Sequence, residues 1–323
     1  MKLRTLFWMD HRSMAVGIAV VLALPTCLMA ADEQRFDSPE AAVAALTNAA
    51  TAKDTNAIRD IFGPEGHALV SPDAVQANEN FNHFVTRVTE KTRLVPMGEG
   101  RDELEIGSEG WPFPIPLVKE DAKWYFDVAA GREEILNRRI GSDELGAMNV
   151  CHAYVDAQRE YASRDHSGND VLQYAQNLRS TPGKHDGLYW PVTNDNEQLS
   201  PLGPLITEAR EEGYHRHTGM MTDQNTQTPY HGYYYKILTR QGSHAPGGKY
   251  DYIINGNMIA GFALVAWPAE WNNTGVMTFI VNQQGKIYQK NLGPKTDAIA
   301  KHMTAYDPDP SWTLVGTLQN ASR

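Results

Sequence analysis

Short runs of aromatic and β-branched residues dominate the stretch 230–293. Residues 230–238 read Tyr-His-Gly-Tyr-Tyr-Tyr-Lys-Ile-Leu, followed by apolar runs at 262–268 and 277–288, each bounded by Gly, Pro or Asn. That is the pattern of an antiparallel sheet. Asn282-Gln283-Gln284-Gly285 predicts a tight hairpin, with Gly285 where the backbone needs a positive φ. A further short strand and turn fall at 251–257, a helix at 297–302, and a terminal strand around 312–315.

Upstream the period changes. Ser38-Pro39-Glu40 predicts a helix start, with Ser as N-cap, Pro in the first turn and an acid at the positive end. Val43, Leu46 and Ala50 share one face. Asp54-Thr55-Asn56 interrupts this helix, and residues 57–62 form a second one closed by Gly63. Ser71-Pro72-Asp73 repeats the start signal, and Val75, Phe81, Phe84, Val85 and Val88 trace an amphipathic helix to about Lys91. Residues 93–97, 103–106 and 123–128 then alternate as strands. Between them, Trp111-Pro112-Phe113-Pro114-Ile115-Pro116-Leu117 puts Trp111, Phe113, Ile115 and Leu117 on one face. Its three prolines donate no hydrogen bond, so the segment pairs on one side only. It is either a blunted edge or strap, or an aromatic lip over a pocket.

Residues 131–140 predict a short charged helix ended by Gly141, and Ser142-Asp143-Glu144-Leu145 restarts a longer one to about Ala162. Leu145, Met148, Val150, Cys151, Tyr154, Val155, Gln158 and Tyr161 follow the helical period and are expected to pack on the sheet. Residues 164–229 are mostly irregular, with one helix at 204–212; a segment that long is a covering loop or a functional one. The division expected is a signal peptide at 1–30, an α+β domain at 36–130, connecting helices at 131–163 and an antiparallel-sheet domain at 164–318.

The chain has 323 residues and a formal charge of −10, becoming −12 without the first 30 residues, which carry three bases and one acid. An acidic surface repels phosphate backbones, which argues against a nucleic-acid partner. Lys2, Arg4 and Arg12 precede the apolar run 14–24; Pro25 breaks it, and Leu28-Met29-Ala30 precedes Ala31-Asp32. This predicts a secretory signal cut near Ala30 or Ala31 and a periplasmic protein without a transmembrane segment. A retained anchor and a lipoprotein signal at Cys27 are the alternatives. The run is shorter than the roughly 20 residues that span a bilayer, and Thr26 fits a lipobox poorly. With Cys27 removed, Cys151 has no intramolecular partner, and its apolar helical setting suits a small buried residue.

Helices followed by a meander ending in Lys123-Trp124-Tyr125-Phe126 resemble the cystatin-like cone of the nuclear-transport-factor-2-like superfamily. That resemblance implies a cavity that serves enzymes and binding modules alike. A catalytic pair there would include a His, and His67 and His83 are the candidates of the mature part. The second domain, a helix and then a four-stranded antiparallel sheet, resembles the globular part of type IV pilins and pseudopilins. Residues 275–288 are similar to their closing hairpin, but the pilus-building apolar helix and its processing site are absent. Residues 36 to about 318 resemble the exported bacterial domain-of-unknown-function 2950 family. The likeness rests on Trp111-Pro112-Phe113-Pro114-Ile115-Pro116, Ala130-Gly131-Arg132-Glu133-Glu134-Ile135 and Tyr154-Val155-Asp156-Ala157-Gln158-Arg159-Glu160-Tyr161. Gly232-Tyr233-Tyr234-Tyr235 and Thr278-Phe279-Ile280-Val281-Asn282 complete it. It implies an envelope location and no particular activity.

Candidate chemistry is sparse. His215-Arg216-His217 is a metal candidate if a third ligand converges; His166, His185, His231 and His244 are the other loop histidines. Asp156, Arg159 and Glu160, with Arg132, Glu133 and Glu134, suit ion pairs. No Gly-x-Ser-x-Gly elbow or phosphate-binding glycine loop occurs, and no cofactor is indicated. Aromatic candidates for gripping a ligand are Trp111, Phe113 and Trp124 in the first domain, and Tyr233, Tyr235 and Trp267 in the second, where alternation would turn half of the aromatics toward solvent or the long loop; core and loop packing is the other reading. The expectation is a non-catalytic envelope module that binds an envelope protein or a cell-wall component. The alternative is a small-molecule binder or enzyme using the cone or the cleft between domains.

Overall fold

A computed structural model describes residues 33–191, 198–212 and 229–316. The signal segment and His215 and His217 lie outside the described residues.

Local capping starts the first three helices. Ser38 Oγ accepts the Ala41 N–H (3.1 Å) at the head of α1 (Pro39–Thr51). Asp54 accepts the Asn56 and Ala57 N–H groups to open α2 (Thr55–Phe62), and Asp73 accepts those of Val75 and Gln76 to open α3 (Ala74–Glu90). Each cap satisfies N–H groups that a helix start leaves orphaned. In the third case Asp73 is the cap, and Ser71 supports it by accepting the Asp73 N–H.

The strands β1 (Thr92–Gly98), β2 (Arg101–Ile106), β3 (Trp111–Pro112), β4 (Leu117–Glu120) and β5 (Lys123–Phe126) form an antiparallel sheet in the order β1-β2-β4-β5, with β3 paired to β2. Trp111-Pro112 pairs on one side, with β2, as the missing proline donors require, whereas Leu117, after the last proline, enters β4 and pairs with both β2 and β5. Phe36, Leu46, Phe62, Leu104, Leu117 and Phe126 are buried between α1, α2 and this sheet, in the first of two hydrophobic cores.

Helix α4 (Val128–Tyr161) corrects the expected break. It is one helix of 34 residues, roughly 50 Å long, passing straight through Gly141. A glycine inside a helix costs only about 1 kcal/mol, and burial of α4 side chains such as Val128, Tyr154 and Val155 in two cores outweighs that. Gly131 is a positive requirement, since a Cβ there would meet Pro114 O at 2.8 Å.

Beyond α4 come β6 (Asn177–Arg179), β7 (Gly187–Tyr189), α5 (Gly203–Glu211), β8 (Tyr233–Leu238), β9 (Arg240–Gln241), β10 (Tyr250–Asp251), β11 (Ile253–Ile254), β12 (Asn257–Met258), β13 (Ala263–Pro268), β14 (Thr278–Asn282), β15 (Ile287–Lys290), α6 (Thr296–His302), β16 (Ala305–Tyr306) and β17 (Thr313–Leu314). The main sheet has five antiparallel strands, ordered β17-β15-β14-β13-β8, not four, because the terminal strand joins β15. The β14–β15 hairpin turns at Gly285, φ 73. Every residue of β13 and β14 is buried, so both faces of the sheet centre are covered; α4 packs on β13 and β14, and α6 on β13. The class is α+β. The described part of 164–229 is less irregular than its composition suggests: β6 and β7 pair, and the Gln158 amide clips Ala175 with two hydrogen bonds of 2.8 Å.

Candidate functional site

The six aromatic candidates do not converge. Trp111 lies between two guanidinium groups, Arg87 at 5.3 Å and Arg138 at 4.6 Å from its ring. Arg138 also donates to Pro112 O, so the strap is clamped to α3 and α4. Phe113 packs among Phe62, Phe84 and Phe126 at 5.5–6.3 Å between ring centres, filling the interior there. Trp124 is half-buried, and its backbone pairs with Phe36. Tyr233, Tyr235 and Trp267 are 0–2% exposed. Their polar atoms are spent inside: Tyr233 Oη donates to Met277 O, Tyr235 Oη to Tyr230 O, and Trp267 Nε1 to Asp297 Oδ1. The expected outward half of this aromatic set is corrected for these three, because the sheet centre is covered on both faces.

Three other described histidines serve packing and pairing. His166 stacks on Tyr161 and His185 on Trp190, both at 4.2 Å, while His244 pairs with Asp307 at 3.1 Å. Burial pushes the Cys151 thiol up to about 12, which leaves it inert. Among the described residues, no group of three or more His, Cys, Asp or Glu is placed to hold a metal ion.

An open cleft of about 250 Å³ lies elsewhere, between α3 and the end of α5. Asn78, Glu79, Asn82, His83 and Thr86 form one wall, their spacing placing them along one side of α3. Glu211 and Glu212 form the other. Glu79 Oε1 sits 3.6 Å from His83 Nε2. Every lining side chain can hydrogen-bond, and three are carboxylates. Glu212 is the most perturbed. Burial, with Glu208 and Glu79 nearby, pushes its carboxyl up to about 7, against a hydrogen bond from Tyr230. His231 Nε2 is 3.7 Å from Glu212 Oε2, and burial lowers the pKa of that imidazole.

A second carboxyl lies deeper. Asp143 is 1% exposed; its Oδ1 accepts from Gln76 Nε2 at 2.6 Å, while its Oδ2 has no hydrogen-bond partner among the described residues. Burial is the main cause that pushes it up to about 7; Asp73 and Glu144 add to the shift, and the Gln76 bond and Arg139 oppose it. Gly232, at φ 68, lies so close that a Cβ would meet Asp143 Oδ2 at 2.4 Å. One turn earlier, Arg139 donates to Asn273 Oδ1 (2.6 Å) and to Leu69 O (2.8 Å). Glu144 accepts the Val276 and Met277 N–H groups.

The family description "Protein of unknown function (DUF2950)" matches residues 33–315. The chain belongs to this family. No curated protein and no solved structure matches it, and the likeness of the two parts of this DUF2950 chain to the nuclear-transport-factor-2-like cone and to pilins is not confirmed.

Sequence reasoning passed over Gln76, Glu79, Asp143 and Glu212. Asp143 stood in a presumed helix restart, and the others carry no motif. A signal for the junction was Gly232, needed where the Asp143 carboxyl comes too close for a side chain. The DUF2950 chain thus presents an open, acidic, hydrogen-bonding cleft that includes Glu212, and a separate buried carboxyl at Asp143; burial pushes both up to about 7.

Proposed function

We propose that this DUF2950 protein is an exported, non-catalytic binding module of the cell envelope, and that the α3–α5 cleft receives a basic, hydrogen-bonding segment of a protein partner. The carrying observation is the lining: Glu79 and Glu211 are exposed beside Asn78, Asn82 and Thr86, so charge and amide groups face solvent in one concave place. A cationic side chain entering there gains charge-assisted hydrogen bonds, and the net charge of −10 favours its approach. The basic N-terminal residues and the apolar run support export. Among the described residues no helix is long and apolar enough to cross a membrane.

The test is capture of partners from envelope extracts by the full mature chain and by a Glu79→Lys/Glu211→Lys double variant. The reading expects loss of a salt-sensitive partner of about tenfold or more, roughly 1.4 kcal/mol. Equal capture by both proteins overturns it. Fractionation with N-terminal sequencing tests export, and an intact N-terminus in the cytosol removes that half.

A second reading rests on Glu212. A carboxyl held near 7, beside the Tyr230 hydroxyl and the His231 ring and open to a cleft, is equipped as a general acid or base. Turnover of a small polar substrate, lost in Glu212→Gln while Glu211→Gln retains it, would establish this reading in place of the first.

A further inference from the structure

One turn of α4 carries contacts to both halves of the molecule. Arg139 and Asp143 are four residues apart and share a face. Arg139 binds Leu69 O on the N-terminal side and Asn273 Oδ1 on the C-terminal side. Asp143 makes the same span: Oδ1 takes the Gln76 amide of α3, and Oδ2 lies against Gly232, whose missing side chain would also meet Thr274. The carboxyl is buried, and Oδ2 accepts no hydrogen bond from the described residues. An ionised carboxylate in that position leaves an oxygen unanswered in a water-poor junction, which is costly; a neutral acid is much less so.

We propose that Asp143 is a proton-operated latch between the two halves. The neutral acid lets α3 and the turn at 230–233 close on α4. Ionisation draws Arg139 away from Leu69 and Asn273 and loosens the α3 side of the junction.

The groups around Asp143 set the balance. From α3 come the Asp73 carboxylate and the Gln76 amide; from α4 itself, Arg139 and Glu144; from β8, the Tyr233 hydroxyl, which titrates far above neutral pH. The 230–233 turn offers the Gly232 backbone and the His231 imidazole, which lies against Gly146 of α4 and whose pKa burial lowers; the 270–276 loop offers Thr274, with Glu270 acting on Arg139. Burial dominates, Asp73 and Glu144 oppose the charge, and Arg139 favours it. The carboxyl therefore exchanges its proton near neutrality, not near 3.8. Arg139 is the group free to respond, because its two present acceptors are a neutral carbonyl and a neutral amide, each weaker for a guanidinium than a carboxylate. Gln76 lies one turn from Glu79, so loosening that end of α3 reaches the cleft wall.

The test is hydrogen–deuterium exchange of the full mature chain across neutral pH, corrected for the intrinsic pH dependence of exchange. Protection at residues 69–76 and 273–277 is expected to fall about tenfold or more through a midpoint near 7. Asp143→Asn, which keeps the shape and cannot ionise, is expected to abolish the transition. Glu212→Gln is expected to retain it. A flat wild-type profile, a transition surviving Asp143→Asn, or one lost in Glu212→Gln overturns the latch. Should Asp143→Asn not fold, the carboxyl ¹³C shift of Asp143 in the wild-type chain decides: titration near 7 supports the latch and titration near 3.8 overturns it.

Discussion

The two cores are built from different aromatics. In the N-terminal core, Phe62, Phe84, Phe113 and Phe126 touch ring to ring. In the C-terminal core the large rings are mostly tyrosines, and their hydroxyls are tied down inside. Tyr154 donates to Ala263 O, Tyr161 to His185 O, Tyr233 to Met277 O, Tyr235 to Tyr230 O and Tyr252 to Gln241 Oε1. A phenylalanine cluster asks only for shape. A buried tyrosine asks for an acceptor in one place, and so specifies the path of a loop as well as filling space. The C-terminal half has long irregular connections to hold; the N-terminal half, with its capped helices and short meander, does not.

Five expectations put this comparison under strain, in order of size. Phe126→Ala, at a fully buried ring, is expected to lower unfolding free energy by about 3–5 kcal/mol in denaturant titration. A loss under 1 kcal/mol would mean that the phenylalanine cluster is not the core. Next is pH. Asp143 holds its proton more tightly folded than unfolded, so stability is full below about pH 4 and declines as pH rises to about 7, by up to about 4 kcal/mol from this group. Glu212 acts in the same direction over the same window. The difference between wild type and Asp143→Asn, followed by melting at several pH values, isolates the Asp143 part.

Gly232→Ala combines a left-handed backbone with a clash against Asp143 Oδ2 and is expected to cost about 1–3 kcal/mol; a neutral outcome would show that the junction is looser than drawn. The reciprocal aromatic exchange sharpens the contrast most directly. Tyr235→Phe removes one of two hydrogen bonds to Tyr230 O, the other coming from the Tyr233 N–H, and is expected to cost about 0.5–1.5 kcal/mol; Phe126→Tyr adds a hydroxyl to an apolar site and is expected to cost about 1–3 kcal/mol. If both are silent, the distinction between the cores is one of composition only. The smallest effect belongs to the exposed cleft: Glu79→Lys and Glu211→Lys are expected to change stability by about 0.5 kcal/mol or less, while altering partner capture.

Much of the local architecture was legible. Ser38 announces its helix start because a short side-chain oxygen next to a helical run has few other uses; the caps Asp54 and Asp73 stand in stretches that announced a break and a start without singling out the capping residue. Gly285 announces its hairpin because a left-handed turn excludes most residues. The strap of alternating prolines could pair on one side only, and Trp111-Pro112 does, while Leu117 beyond the last proline joins a central strand. These signals act within a few residues, where backbone geometry is decided.

Other features escaped for one physical reason: they depend on what arrives from elsewhere in the chain. Gly141 resembles a helix stop until packing against two cores carries α4 through it. Alternation in β8 and β13 resembles a half-exposed sheet until α4 and α6 cover both faces. Gln76 and Asp143 are 67 residues apart and carry no motif.

The amino-acid order alone determined the α+β class, the Ser38 helix cap, the hairpin and the acidic character, because propensity, turn chemistry and charge are local or additive. Only the folded molecule decided which aromatics are core, that α4 is continuous, and that Asp143 and Glu212 sit where a proton is held near neutral pH. Burial and the approach of distant groups set those properties, and neither is written in any short stretch of the chain.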